Sequence, residues 1–200
     1  RARFLAAASH DLRQPLYALT LFSSALRAGE TDPDKLTRVM HIEECVSSLD
    51  QLFSELLDLS RLEAGVMHAA IADVRLDDVF DEVSRNFRIL AESRGLRLIV
   101  RKTDAWVRTD RTMLARILNN LVSNALRYTD EGGVLVGVRH QDDGRLRIDV
   151  WDTGTGIAPE HQSQVFDEFY QVNQCNDETG ERKRGLGLGL ATVRRLAELV

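Results

Sequence analysis

Two regimes of hydrophobic periodicity divide this chain, and they restrict its fold more than any other feature. The first 64 residues or so carry apolar side chains at three- and four-residue steps and show no strand pattern. Leu5, Ala8, Leu12, Leu16, Leu19, Phe22, Ser23 and Leu26 make one stripe, at about 100° per residue. Gly29 and the turn-forming run Glu30-Thr31-Asp32-Pro33 interrupt it. A second stripe follows in Ile42, Cys45, Val46, Leu49, Leu52, Phe53, Leu56 and Leu59, so the Cys45 thiol reads as core filler. So short a connection makes the two helices antiparallel neighbours. Two helices alone cannot bury apolar faces this long. Pairing with a second copy completes a four-helix bundle and predicts a homodimer. The alternative is that these faces pack on the second half of the same chain.

Gly65 ends the second helical pattern, and a short polar connection runs to about Val74. Beyond it, helical and strand-like stretches alternate. Leu76, Val79, Phe80, Val83, Phe87 and Leu90 mark an amphipathic helix closed by Gly95. Strands are predicted over 96–100, 134–138 and 146–151, with Asp143-Gly144 as a hairpin turn before the last. A helix is predicted over 110–128. The expected fold class is α+β: an antiparallel helical hairpin over residues 1–66, followed by an α/β two-layer sandwich with a mixed sheet over 67–200.

The formal charge of −5 argues against a nucleic-acid partner, which would call for a basic excess or a basic face. No apolar run reaches the ~18 residues of a membrane span, and no secretory leader is visible. Cys45 and Cys175, the only cysteines, form neither a disulfide framework nor a zinc site. A reducing, cytoplasmic setting is expected, with membrane contact only through regions outside this chain.

Several segments carry chemistry. His10 stands almost opposite the apolar stripe on the helical wheel, in Ser9-His10-Asp11-Leu12-Arg13-Gln14-Pro15-Leu16. Asp11 can accept a hydrogen bond from its Nδ1–H, leaving Nε2 as a neutral nucleophile. Pro15 removes a helix hydrogen bond and allows a bend beside it. On the 110–128 helix, Asn120, Asn124 and Arg127 share the polar side. Amide oxygens can complete a hydrated Mg²⁺ shell, and a guanidinium can bind phosphate. Asp152-Thr153-Gly154-Thr155-Gly156-Ile157 follows a strand, where a carboxylate can accept a purine amine proton and the glycines permit close approach. Gly185-Leu186-Gly187-Leu188-Gly189-Leu190 opens a helical pattern, a place where backbone N–H groups can cradle phosphates. The polar stretch 170–184, ending in Glu181-Arg182-Lys183-Arg184, reads as a lid with a basic end. Taken singly, each has a plainer reading as a solvated face, a turn or a charge run.

In this order, the motifs resemble those of sensor histidine kinases over essentially the whole length. SHDLRQPL is similar to the phosphoacceptor H box, NNLVSNALRYT to the N box and DTGTGI to the G1 box. FDEFYQ, residues 166–171, resembles the F box and GLGLGL the G2 box. The resemblance implies an ATP-binding domain of the kind shared with gyrase, Hsp90 and MutL, and a receiver-domain aspartate as final acceptor, in cis in a hybrid kinase or in trans. It implies His10 as phosphoacceptor, Asp11 as its acid/base partner, and Gln14 at the position linked to water activation, where Thr or Asn is commoner. It implies that Asn124 holds Mg²⁺, that Asn120, Arg127 and Tyr128 line the ATP site, and that Asp152 reads adenine in a pocket shaped by Gly154 and Gly156. Phe166 and Phe169 would anchor the lid. Arg184, Gly185, Leu186, Gly187, Leu188 and Gly189 would form its phosphate side. The family usually continues with one or two strands beyond the helix that reaches Val200, so a fragment lacking its sensor is expected. Rival readings are a non-catalytic scaffold and a gyrase-type ATPase, the latter calling for a carboxylate where the polar helix face carries amides.

Overall fold

The computed structural model describes residues 2–172 and 187–200; within the two N-terminal helices, side chains are described from Pro15 onward, with gaps in the second. The chain divides into two compact units, Arg1–Met67 and His68–Val200.

In the first unit, α1 (Ala2–Gly29) continues through Pro15 and is followed by α2 (Pro33–Glu63). Asp32 caps α2 by accepting a hydrogen bond from the Asp34 N–H, and Pro33 supplies a preset φ at the first helical position. Glu30 accepts from the N–H groups of Thr31 and Asp32, which lowers its carboxyl pKa and closes the turn. Leu16 and Ser23 of α1 and Val39, Val46 and Leu57 of α2 are buried. Among the other stripe residues whose side chains are described, Phe22 is 69% exposed, and Leu19, Leu26, Ile42, Leu49 and Leu56 also lie open. Cys45, read from its stripe as core filler, is exposed too, because one partner helix shields only part of so wide a stripe.

The second unit runs β1 (Ala72–Arg75), α3 (Leu76–Ser93), β2 (Arg97–Val100), β3 (Trp106–Thr109), α4 (Arg111–Arg127), β4 (Gly133–His140), β5 (Leu146–Asp152) and α5 (Gly189–Ala197). A mixed sheet forms in the order β2-β4-β5, the first pair parallel and the second antiparallel. The α+β expectation therefore holds. Alternation decides which face is covered: Val134 and Val136 are buried, and Leu98, Val100, Val138, Ile148 and Val150 pack beneath α3 and α4. From the helices, Val79, Phe80, Val83, Leu118, Val122 and Leu126 enter the same core.

One element escaped the sequence pattern. β1 and β3 pair as an antiparallel ribbon, with Val74 opposite Val107; β1 falls at the end of the expected polar connection, and no element was expected over 106–109. Four-residue strands are too short for alternation to register. The ribbon is tied down by Asp110, whose Oδ1 caps α4 at the Met113 N–H (2.9 Å) while Oδ2 accepts from the Ala70 N–H (2.7 Å). These bonds, the Met113 one foremost, outweigh burial and hold the Asp110 carboxyl below its ordinary range. No helix among the described residues is long and apolar enough to cross a membrane.

Asp110→Ala removes the α4 cap and strands the Ala70 N–H, so urea unfolding of the second unit should lose about 1–2 kcal/mol. Because the folded-state pKa is depressed, this contribution is present above the ordinary carboxylate pKa of about 4 and disappears as pH falls through the folded value. The gap between wild type and variant should therefore narrow below about pH 4 in acid titrations.

Candidate functional site

Helix α4 fixes the site because its two sides have different fates. Leu118, Val122 and Leu126 are fully buried against the sheet, leaving Asn120, Asn124 and Arg127 half-buried on the opposite side. Helix α5 begins beside those amides. A Cβ on Gly189, its first residue, would lie 3.4 Å from Asn120 Oδ1 and 3.8 Å from Asn124 Nδ2. The unpaired N–H groups and positive dipole end of α5 thus adjoin two carboxamides, a setting suited to anions. Leu188, just before it, is fully buried and holds this start against the core.

The C-terminal end of α4 meets the turn after β5. Tyr128 O accepts from the Thr155 N–H (3.3 Å). A Cβ on Gly154 would overlap that same carbonyl oxygen and come within 2.9 Å of Asp152 Oδ1. Asp152 Oδ1 accepts from the Gly154 N–H at 2.9 Å, and the exposed carboxylate keeps its second oxygen. Thr153 Oγ1 donates to Glu131 O (2.8 Å) and accepts from the Gly133 N–H (3.0 Å). Gly156 turns the chain at φ 70°. The helix end carrying Asn124, Arg127 and Tyr128 and the loop carrying Asp152, Gly154 and Gly156 are thereby held as neighbours.

The F-box segment joins the start of α5 through backbone. The Phe169 N–H donates to Gly187 O (3.1 Å), Phe169 has φ 62° and Gly187 φ 71°. A Cβ on Gly187 would stand 2.5 Å from Tyr170 O. Neither phenylalanine ring is buried: Phe169 is 59% exposed, and Phe166 lines an open groove of about 450 Å³ with Ala191 and Arg194. The tie between these segments is made by the main chain, not by the rings. His161 escaped notice in the sequence: its Nδ1 lies 2.7 Å from Tyr170 Oη and braces the residue next to Phe169. A single histidine in a polar stretch gives no pattern that would reveal this.

His10, Asp11 and Gln14 fall on α1, with side chains outside the described set. Arg184, Gly185 and Leu186 lie outside the described residues, as does most of the expected lid. Among the described residues no group of three His, Cys, Asp or Glu side chains is placed to hold a metal ion. The donor set present, two side-chain carboxamides beside a helix N-terminus, fits a Mg²⁺ that shares phosphate oxygens and water rather than one caged by protein.

Two family profiles match the chain: the His Kinase A (phospho-acceptor) domain over residues 1–65, and the histidine kinase-, DNA gyrase B- and HSP90-like ATPase over residues 109–200. The chain belongs to the sensor histidine kinases. It is 36% identical over 206 residues to the histidine protein kinase DivJ of Caulobacter vibrioides, covering 100% of this chain and 34% of DivJ. Over 203 residues it is 30% identical to the aerobic respiration control sensor protein ArcB homolog of Haemophilus influenzae, covering 100% of this chain and 61% of that protein. Among solved structures, full-length ShkA in complex with AMPPNP matches with a TM-score of 0.77 and 28% identity, over 100% of this chain and 41% of ShkA. This kinase core thus spans only part of the relatives it matches.

Two left-handed glycines of the core offer a contrast. Gly144 has open space around it, so Gly144→Ala should cost only the roughly 1–2 kcal/mol of a left-handed alanine. Gly187→Ala adds a collision with Tyr170 O and should lower the thermal midpoint of the second unit clearly further.

Proposed function

We propose that this chain moves the γ-phosphoryl group of ATP to His10 and then to an aspartate of a receiver domain. The observation that carries the reading is the meeting of Asn120 and Asn124 with the N-terminus of α5, next to the Asp152–Gly154 turn, in a chain that also matches a phospho-acceptor domain. The two functional parts are residues 1–66, for dimerisation and phosphotransfer, and residues 67–200, for ATP binding.

In this reading Asp152 accepts a hydrogen bond from the adenine amino group, and Gly154 and Gly156 keep that pocket clear of side chains. The first N–H groups of α5 and the Arg127 guanidinium orient the phosphates, with Tyr128 at the edge of the site and Arg184, Gly185, Leu186, Gly187, Leu188 and Gly189 along the phosphate side. Asn124 supplies an amide oxygen to Mg²⁺, which when bound neutralises charge on the β- and γ-phosphates. Asp11 accepts from His10 Nδ1–H, so that Nε2 presents its lone pair to phosphorus; a P–N bond forms as the P–O bond to ADP breaks. Gln14, one helical turn beyond, orients water for the reverse, dephosphorylating reaction. Phe166 and Phe169 sit at the start of the lid.

The open face of the helical hairpin supports a homodimer. Phe22, Leu26, Ile42 and Leu49 are exposed members of the two apolar stripes, which a second copy covers by completing a four-helix bundle. The core works in the cytoplasm, where ATP is available; a receiver domain reaches it in cis or in trans.

Incubation with γ-labelled ATP and Mg²⁺ should give acid-labile, alkali-stable label on the wild-type chain and none on His10→Gln. Asn124→Ala and Asp152→Ala should weaken binding of a fluorescent ATP analogue at least tenfold, by analogy with the loss of a charge-assisted contact. Steady phosphate release by His10→Gln, without labelled protein in the wild type, would instead identify an ATPase.

A further inference from the structure

The sheet of the second unit has a second face, which none of the described elements of that unit covers. Its outward side chains form a grid set by strand register. Ile99, Leu135 and Trp151 oppose one another across β2, β4 and β5, one apolar row about 10 Å wide. Ile99 is 51% and Trp151 55% exposed, although burying either would favour stability. The next row holds Arg101, Gly137 and Asp149, and the stem of Arg101 lies over the missing side chain of Gly137, 3.6 Å from where its Cβ would be. Arg139 and Arg147 complete the grid, each donating to Asp149 at 2.7 Å. The Arg139 guanidinium also sits 5.7 Å from the centre of the Trp151 ring.

We propose that this face docks an acidic polypeptide segment that carries an apolar anchor. The charges argue for it. With Arg97 beside the apolar row, the face holds four arginines against one aspartate, whereas the chain carries −5. Asp149 is held ionised chiefly by its bond to Arg139, so it fixes two guanidinium forks instead of leaving them to wander. Fixed forks suit carboxylates, which they bind in a planar, two-point manner. The apolar row takes the anchor, flanked by the Arg101 stem over Gly137. Exposed Trp and Arg with this arrangement have the composition of an interface centre. A nucleic acid or an anionic bilayer feels the repulsion of the whole chain, while a short segment feels the local face within a screening length of about 8 Å. A second copy meeting the same face would bring arginine against arginine.

The chain has two tryptophans, so a Trp106→Phe background leaves Trp151 as the sole reporter. The probe is a twelve-residue synthetic peptide alternating glutamate and leucine, compared with versions carrying lysine for glutamate or serine for leucine. Saturable change in Trp151 emission is expected with the glutamate–leucine peptide, at least tenfold weaker with the serine version, and absent with the lysine version. Arg101→Glu, which breaks no described ion pair, should weaken binding at least tenfold while circular dichroism and the thermal midpoint are retained. Ile99→Ser is measured alongside, so that misfolding of one variant does not remove the test. Absence of saturable binding, or binding unaffected by both substitutions, overturns the proposal. So does tighter binding to phosphatidylglycerol vesicles or to an oligothymidine strand, or a dimer that the substitutions at Arg101 and Ile99 dissociate. None of these readouts involves ATP, so their failure leaves the kinase reading untouched.

Discussion

Everything in the second unit depends on α4 being buried along one side only. Leu118, Val122 and Leu126 recur at four-residue steps and disappear completely into the core. Each such side chain contributes on the order of 1.5–3 kcal/mol on burial, more than any polar contact on the other side of the helix. The apolar stripe therefore sets the helix rotation, and the rotation sets where Asn120, Asn124 and Arg127 stand. Asp110 then fixes the axial position, because its cap at Met113 and its bond to Ala70 join the helix start to the ribbon. The candidate polar site is thus oriented chiefly by apolar burial on the opposite side of the helix.

This division explains what could be read from the sequence. The periodicity of α4 and α3 and the alternation of β4 and β5 are local features, and the structure reproduces them within a residue or three. The β1–β3 ribbon was invisible because each strand is four residues long and its pairing joins segments over thirty positions apart. The contact between His161 and Tyr170, and the fork of Arg139 and Arg147 on Asp149, were illegible for a related reason. Both need a fold-dependent neighbour, and for the fork that neighbour depends on register, where a shift of one residue would send the arginines to the opposite face. The error at Cys45 has another source. A stripe shows which residues seek burial, not how much of it one chain provides.

Glycine plays two distinct parts around the site. At Gly154 the requirement is space, since the backbone there has no left-handed φ, yet any side chain would run into Tyr128 O. At Gly187 the requirement is both space and a φ of 71°, with its neighbour Phe169 also left-handed at 62°. A phenylalanine in that conformation is disfavoured by sterics and persists only where its surroundings over-determine it. Here the bond to Gly187 O and the His161 brace on Tyr170 provide that determination.

Both units expose apolar surface for the same geometric reason. A helix hairpin covers one flank of each helix, and a two-layer sandwich covers one face of its sheet, so each leaves a side with no partner of its own. The two uncovered sides differ in chemistry. On the hairpin, Phe22, Leu26, Ile42 and Leu49 are exposed apolar side chains, a composition that suits a self-complementary bundle. On the sheet, Trp151 and Ile99 are ringed by guanidiniums held in place by Asp149, which suits a partner of opposite charge and not a second copy. The candidate nucleotide site occupies neither: among the described residues it lies at the rim where α4 ends, α5 begins and β5 turns, where backbone N–H groups, two carboxamides and the Asp152 carboxylate stand close together.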